Sequence, residues 1–132
     1  MNRTAGVVPD GPAPGGPYSA STRIGSMVAA AGQCGYLPDR SLAEGVAAQT
    51  RLAMQNLRAA LAASGASLDN VLSVEAFLTD TEHFAEFNAV YAEFFTAPYP
   101  ARTTIEDAEK GCQAMAMRGW IPCLSGRTRE SA

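Results

Sequence analysis

Two segments of the chain carry the apolar periodicity of an α-helix, and a single strand-like segment separates them. The first helix is predicted to begin at a capping box formed by Ser41 and Glu44 and to end before Gly65. The second is predicted from about Thr81 to Phe95. Because two helices can cover only one face of a sheet, the other face needs a different cover. For so short a chain an oligomer is the simplest one.

The remaining apolar segments predict the strands of that sheet. They are Met27–Ala31 before Gly32, Val71–Leu78, Arg102–Glu106 and Cys112–Trp120. Within the second of these, Leu72, Val74, Ala76 and Leu78 are expected to share one face. The predicted order is strand, strand, helix, strand, helix, strand, strand. We therefore predict an α/β fold of the α+β type, in which two helices pack on one face of a mixed sheet.

The second predicted helix carries an aromatic stripe and one polar residue on the same side. Thr79 and Glu82 form a candidate capping box before the stripe of Phe84, Phe87, Tyr91, Phe94 and Phe95. Asn88 lies four residues after Phe84 and three before Tyr91, which places it on the buried side. A buried amide without hydrogen-bond partners costs about 1–3 kcal/mol. Asn88 is therefore either a structural residue bonded to a neighbouring loop or part of a site.

Composition argues against several classes of function. Of the 132 residues, 47% are hydrophobic and 17% are charged, which is typical of one globular domain. The net charge is −3 and no window is rich in Lys and Arg, so no nucleic-acid partner is expected. No segment approaches the roughly 18 apolar residues of a membrane span, and no secretory leader is recognisable. We therefore expect a cytoplasmic protein without a membrane partner.

The domain organisation predicted from the sequence is simple. Residues 1–16 are rich in Gly and Pro and are predicted to form a flexible N-terminal arm. Residues 17–121 form the single domain, and residues 122–132 form a C-terminal tail. The run from Gly11 to Gly16 lacks the Lys-Ser/Thr ending of a phosphate-binding loop, so a plain connecting loop is predicted there.

The cysteines and the one histidine limit the chemistry further. Cys34, Cys112 and Cys123 are odd in number and lack metal-ligand spacing, so we expect reduced thiols. His83 is the only histidine, which removes most zinc sites and every catalytic triad that needs a second histidine. We expect neither a metal nor another cofactor.

An ordered set of short segments resembles the RidA (YjgF/L-PSP) family. The set runs from about Pro14 to Gly119 and comprises Gly16-Pro17-Tyr18-Ser19, Ala31-Gly32-Gln33, Gln49-Thr50-Arg51, Asn56-Leu57, Ala66–Val71, Phe77–Asp80, Phe84, Asn88, Tyr91, Phe94-Phe95 and Pro100-Ala101-Arg102-Thr103-Thr104. The resemblance implies a chorismate-mutase-like fold, a homotrimeric barrel and a cleft at each subunit interface. It also implies hydrolysis of reactive enamines and imines, such as 2-aminoacrylate, to a ketoacid and ammonia.

The resemblance also implies site residues. Arg102 matches the arginine that binds the substrate carboxylate, and a guanidinium presents two parallel N–H donors that fit a carboxylate, which lysine cannot copy. Tyr18, Asn88, Thr104 and the Gly32 backbone match positions that line the cleft. Arg102 and Tyr18 are the candidates for catalysis. The alternative for Tyr18 is a packing aromatic ring with a solvated hydroxyl.

The chain departs from the family at two cleft positions. Deaminating members carry an acidic residue in the last strand, and the two registers that fit this chain place Met115 or Met117 there. Ala31 replaces a serine of the family. Because positioned acid–base groups typically contribute about 10²–10⁴-fold, hydrolysis is not expected to be the optimised reaction. Ala31, Met115 and Met117 are expected to line a more apolar substrate cleft.

Other groups are candidates to replace the missing acid. Glu106, Asp107 and Glu109 follow Arg102, although a solvated acidic turn is the simpler interpretation. Cys34 is a candidate nucleophile, but no histidine near it in the sequence would lower its pKa, so a buried structural cysteine is favoured. Trp120 either extends the cleft or packs in the core or an interface.

Three functional hypotheses follow. The favoured one is an enzyme that binds a carboxylated enamine or imine at the subunit interface and directs hydrolysis, tautomerisation, cyclisation or bond cleavage. The second is a non-catalytic regulatory trimer that binds a small carboxylate metabolite. The third, an endoribonuclease, is disfavoured by the acidic balance and by the lack of basic and aromatic binding stripes.

Overall fold

A computed structural model describes residues 1–11, 13–107 and 118–122 of the chain, the last range as backbone. Six strands form one sheet in the order β1-β2-β3-β6-β4-β5. The strands are β1 (Thr4–Gly6), β2 (Ser21–Ile24), β3 (Met27–Ala30), β4 (Ser73–Leu78), β5 (Ala101–Glu106) and β6 (Arg118–Pro122). β4 and β5 are parallel, whereas every other neighbouring pair is antiparallel.

Two helices accompany this sheet, α1 (Val46–Ala62) and α2 (Phe84–Tyr91). Short 3₁₀ turns lie at Leu68–Asn70, Thr81–His83 and Ala92–Phe94. A mixed sheet with two helices confirms the predicted α+β class. The second predicted helix is helical from Thr81 to Phe94, but only Phe84–Tyr91 is α-helical and a 3₁₀ turn lies at each end.

The predicted flexible arm contains a strand. Thr4–Gly6 pairs with the residues from Ser21 to Arg23, at the edge of the sheet. A Cβ atom at Gly6 would lie 2.7 Å from Ser64 Oγ and 2.9 Å from the carbonyl carbon of Ala63. Glycine is therefore needed where this edge strand approaches the end of α1. Three residues are too short for an alternating pattern, so the sequence gives no sign of this strand.

Both predicted helix caps are wrong. Ser41 does not cap α1, because its N–H and O–H donate to the Asp39 carboxylate at 2.9 and 2.5 Å. The N-cap position is instead Gly45, which has a φ of 87° and makes no side-chain capping bond. Before α2, the carboxylate of Asp80 accepts a hydrogen bond from the Glu82 N–H at 2.8 Å, so the cap lies one residue beyond the predicted threonine.

The core lies between the two helices and one face of the sheet. Strand alternation directs Val74, Ala76 and Leu78 of β4 into it, and α1 contributes Met54, Leu57 and Leu61. Phe87 of α2 completes the packing and has no exposed surface. Leu72, predicted to share the buried face, precedes the strand and is 60% exposed.

The opposite face of the sheet is not covered by any described element. By strand alternation it carries the side chains of Ile24, Met27 and Ile105, which are exposed to 45%, 48% and 41%. Single exposed apolar side chains are ordinary on a protein surface, but several on one open face commonly mark an interface.

Candidate functional site

Arg102 projects from the edge of the sheet towards α2. It lies on β5, the last strand in the sheet order, and pairs in register with the buried Val74 of β4. In-register neighbours point to the same face, so Arg102 lies on the side that the helices cover. Thr104, opposite Ala76, follows on the same side, and both Arg102 and Thr104 are half-buried.

Three aromatic rings surround the guanidinium of Arg102. Its Cζ lies 5.5 Å from the ring centre of Phe84, 5.1 Å from that of Phe87 and 4.7 Å from that of Tyr91. We call these three residues the aromatic cradle. They occupy positions i, i+3 and i+7, which share one face of α2. Arg102 forms no ion pair with any described residue, so its positive charge is balanced only by ring faces within that part of the chain.

Two polar atoms beside the cradle are buried and have no hydrogen-bond partner among the described residues within the distance limit for such a bond. They are Tyr91 Oη and Asn88 Oδ1. Asn88 shares the helix face of Phe84 and Tyr91, as its spacing predicted. Among the described residues no loop group bonds to the side-chain oxygen of Asn88, and both interpretations of this residue stay predictions. Buried polar atoms without partners are uncommon and favour a role in a site.

The electrostatics of the cradle keep Tyr91 neutral. Burial raises the pKa of its phenol, and the positive charge of Arg102 partly opposes that shift. Tyr91 is only 5% exposed. At neutral pH the three rings of the cradle are therefore uncharged, and Arg102 beside them carries a positive charge.

A second group of the expected site residues lies in a pocket elsewhere in the chain. Tyr18 and Gly32 line this pocket of about 200 Å³, which we call the Tyr18 pocket; its lining residues are Val8, Gly11, Ala13, Pro14, Tyr18, Ala20, Gly32, Gln33, Cys34, Tyr36, Arg40, Asn56 and Ala59. Tyr18 is 57% exposed, which does not fit a buried packing ring. Its hydroxyl accepts a hydrogen bond from the Gly15 N–H at 3.1 Å.

Loops shape the Tyr18 pocket, and α1 holds them in place. Asn56 of α1 donates to the carbonyl oxygens of Cys34 and Tyr36, both at 3.0 Å. Arg40 Nη2 donates to the carbonyl oxygen of Ala13 at 2.5 Å and ties the N-terminal segment across the pocket. Ala31 precedes the pocket directly after β3, and its N–H donates to the Ala20 carbonyl.

The two groups are separate within one chain. β6 and β4 lie between β3 and β5, and one register row crosses all four strands at Ala29, Trp120, Ser73 and Ala101. Three strand spacings correspond to about 14 Å. Gly32, just after β3, is therefore too far from Arg102 for one small carboxylate to contact both. The structure brings Arg102, Asn88 and Thr104 to one edge and Tyr18, Gly32 and Ala31 to another place.

The candidate replacements for the missing acid do not lie beside Arg102 in the described structure. Glu106 is four residues along β5, about 13 Å from Arg102. Its carboxylate accepts a hydrogen bond from the Thr81 N–H at 3.0 Å, at the turn that leads into α2. Glu109, Met115 and Met117 lie outside the described residues, as does the side chain of Trp120.

The expectation of reduced thiols is wrong for Cys34, which is the one cysteine among the described residues. Cys34 is disulfide-bonded, so it is neither a reduced thiol nor a nucleophile in this structure. Cys112 and Cys123 lie outside the described residues. In the ranges 1–11 and 13–107, no group of three or more His, Cys, Asp or Glu side chains is arranged to hold a metal ion.

The aromatic cradle was not foreseen as part of a site. Periodicity predicts only an apolar stripe that contains Phe84, Phe87 and Tyr91, and aliphatic residues would pack on the core equally well. One feature of the sequence could have indicated the contact. Three positions on one helix face are aromatic rather than aliphatic, and the next predicted strand contains a single arginine. Their contact with Arg102 depends on the pairing of β4 with β5, which the sequence does not reveal.

Comparison with known proteins decides the family. A family model described as Endoribonuclease L-PSP matches residues 9–116. The chain belongs to this family, the RidA (YjgF/L-PSP) family. Its resemblance at the level of short segments is thereby confirmed.

The chain is similar in sequence and in structure to several members of this family. The chain is 38% identical over 101 residues to a 2-iminobutanoate/2-iminopropanoate deaminase of Salmonella typhimurium, covering 74% of this chain and 79% of the relative. It is 37% identical over 111 residues to the protein mmf2, mitochondrial, of Schizosaccharomyces pombe, covering 84% and 88%. The crystal structure of Escherichia coli TdcF with bound serine superposes with a TM-score of 0.83 at 28% identity, covering 90% and 98%.

These RidA relatives bear on two further expectations. No helix in the described part of the chain is long and apolar enough to cross a membrane. A family that includes a mitochondrial protein does not fix the compartment, so the cytoplasmic location stays a prediction. The α+β architecture of the relatives agrees with the sheet and two helices of this chain.

Proposed function

We propose that this RidA-family protein is an enzyme that acts on a reactive enamine or imine of a small carboxylic acid. The observation that carries the proposal is Arg102, a half-buried guanidinium without an ion-pair partner among the described residues. No described carboxylate pairs with this charge, so a negatively charged ligand can do so. A carboxylate fits the guanidinium fork with two parallel hydrogen bonds.

The proposed site is completed by a second subunit of a homotrimer. Arg102 and the Tyr18 pocket are too far apart to share a small ligand within one chain, and both belong to the family's cleft pattern. The open sheet face with Ile24, Met27 and Ile105 provides the apolar surface for subunit contact. Assembly would then place the Arg102 of one subunit against the Tyr18 pocket of the next.

The proposed reaction begins with the imine tautomer of the substrate. Water adds to the carbon of the C=N bond while the nitrogen takes up a proton. Collapse of the resulting carbinolamine forms the ketoacid C=O bond and releases ammonia. Arg102 holds the carboxylate throughout, which fixes the neighbouring C=N carbon. Two relatives named as deaminases, of imino acids and of reactive intermediates, support this class of substrate.

A regulatory trimer without catalysis is the second candidate, and one observation favours it. No described carboxylate forms an ion pair with Arg102, and none lines the Tyr18 pocket. A site without an acid or base close to the reacting atoms can bind a small acid and leave it unchanged.

Substitution of Arg102 tests the proposal. Arg102→Ala should weaken the binding of 2-oxobutanoate, measured by calorimetry, by about 10- to 100-fold, since a hydrogen bond to a charged group contributes about 1.5–3 kcal/mol. Arg102→Lys should restore little, because the fork is lost. Arg58→Ala is the matched control: Arg58 Cζ lies 5.0 Å from the Phe94 ring centre but outside the proposed site.

Ammonia release from freshly generated 2-iminobutanoate then separates the two candidates. An enzyme should release ammonia above the uncatalysed rate and lose that activity in Arg102→Ala. A regulatory protein should bind 2-oxobutanoate through Arg102 and leave the uncatalysed rate unchanged. If Arg102→Ala binds 2-oxobutanoate as tightly as the wild type, the assignment of Arg102 is refuted.

A further inference from the structure

We propose that the aromatic cradle positions Arg102 for its ligand by holding the guanidinium in place without neutralising it. This inference rests on the proposed function, in which Arg102 binds the substrate carboxylate. Phe84, Phe87 and Tyr91 would then be positioning residues, which act on the ligand through Arg102.

The chemistry of the rings supports this role. A guanidinium has five N–H donors, and a carboxylate partner within the protein would occupy two of them and compete with the ligand. Aromatic rings attract the cation through their negative faces and accept none of these donors strongly. Arg102 has three such rings within 5.5 Å and no ion pair with a described residue. No described carboxylate therefore competes with a ligand for the donors of Arg102.

The cradle itself is firmly held. Phe87 is completely buried and Tyr91 is 5% exposed. The ring centres of Phe87 and Tyr91 are 5.4 Å apart, and those of Tyr91 and Phe95 are 4.9 Å apart, both in tilted arrangements that aromatic pairs favour. A flexible arginine side chain that rests on fixed rings loses part of its freedom before the ligand arrives.

The two arginines of α1 lack this combination. Arg51 forms an ion pair with Glu93 at 3.1 Å, and its side chain is 44% exposed. Arg58 is exposed and has one ring, that of Phe94, within cation–π distance. Arg102 alone among these three joins partial burial, several rings and the absence of a described acidic partner.

Ring substitutions test the inference, with binding of 2-oxobutanoate as the readout. Phe84→Leu and Tyr91→Leu should each weaken binding by about tenfold, in the range expected for loss of a partly desolvated cation–π contact. Tyr91→Phe keeps the ring and should stay within about twofold of wild type. Phe94→Leu removes a ring from the neighbouring turn that does not contact Arg102, and it should bind like wild type.

The Arg102 Nε–H resonance tests whether the rings contact the guanidinium in solution, and wild-type binding by Tyr91→Phe beside weakened binding by Tyr91→Leu separates positioning by the ring from a loss of structure. Ring currents should shift this resonance in the wild type, and the shift should shrink in Phe84→Leu but not in Phe94→Leu. Phe84 is 41% exposed, so its variant should fold even if Tyr91→Leu does not. Wild-type binding by Phe84→Leu, or equal weakening by Phe94→Leu, would overturn the inference.

The Arg102→Ala variant separates this inference from the proposed function. Lost binding in Arg102→Ala together with wild-type binding in the ring variants refutes the cradle alone. Wild-type binding in Arg102→Ala refutes the proposed function, and the positioning role is refuted with it.

Discussion

The aromatic cradle and the Tyr18 pocket are built in different ways. The cradle consists of side chains on regular elements, with Arg102 on β5 and its rings on α2. The Tyr18 pocket consists largely of loop segments tied down by side chains of Asn56 and Arg40. Rigid elements place a charge accurately, whereas loops can change shape between family members without loss of the fold. Under the proposed function, we therefore expect the carboxylate to be bound by the rigid elements and the rest of the substrate to be recognised by the loops.

Separation of the subunits should have the largest effect, because the two regions can share a ligand only across an interface. Ile105→Glu places a charge on the open apolar face and should convert a trimer, near three times 13.8 kDa, into monomers. Sedimentation would give the mass, and calorimetry should show that binding of 2-oxobutanoate is lost.

Leu37→Glu is the matched control for that experiment, since Leu37 is 42% exposed but lies in a loop outside the sheet. It should remain trimeric. A wild-type chain that is monomeric at micromolar concentration, or an Ile105→Glu monomer that still binds the acid, would contradict the shared site.

Introducing a carboxylate by substitution should have an intermediate effect. Among the described residues, neither the cradle nor the Tyr18 pocket supplies a carboxylate next to the proposed ligand. A glutamate at position 115 or 117 should accelerate release of ammonia from simple imino acids, by up to about 10²-fold in the register that faces Arg102. The new carboxylate must stay ionised, and an apolar surrounding opposes this by raising its pKa. Met115→Glu and Met117→Glu are controls for each other. Fast hydrolysis by the wild type would show that another group already activates water.

The smallest effect concerns the alkaline stability of the cradle. Burial raises the pKa of Tyr91 above the 10.0 of a free tyrosine, against the charge of Arg102. The folded state therefore binds the phenolic proton more tightly, which contributes stability below the unfolded pKa that is lost as the pH rises through the folded pKa. Between about pH 9 and about pH 11, the unfolding temperature of the wild type should fall more steeply than that of Tyr91→Phe. Parallel curves would show that Tyr91 titrates normally.

The sequence predicts features that depend on periodicity and misses those that depend on pairing. The stripe of α2 and the strand with Arg102 follow from spacing alone. The cap before α2 is wrong because Asp80 accepts the Glu82 N–H that Thr79 was expected to accept. The cap before α1 is wrong because the helix begins only at Val46, and Ser41 donates to Asp39 in the preceding loop instead. The contact between Arg102 and its rings, and the distance to the Tyr18 pocket, arise from strand order, which local patterns do not encode.

The hydrogen bond from the Thr81 N–H to Glu106 has a mechanical consequence. It joins the turn before α2 to the far end of β5, and the Asp107 N–H bonds to the Leu78 carbonyl close by. The turn before α2 is therefore tied to β5, and we expect α2 to move least relative to the strand at this end. With a rise of about 1.5 Å per residue, Tyr91 lies about 10 Å farther along the helix from the tied end than Phe84. Tyr91, the ring nearest to Arg102, is thus the cradle residue farthest from the tied end and the one that any tilt of α2 would displace most.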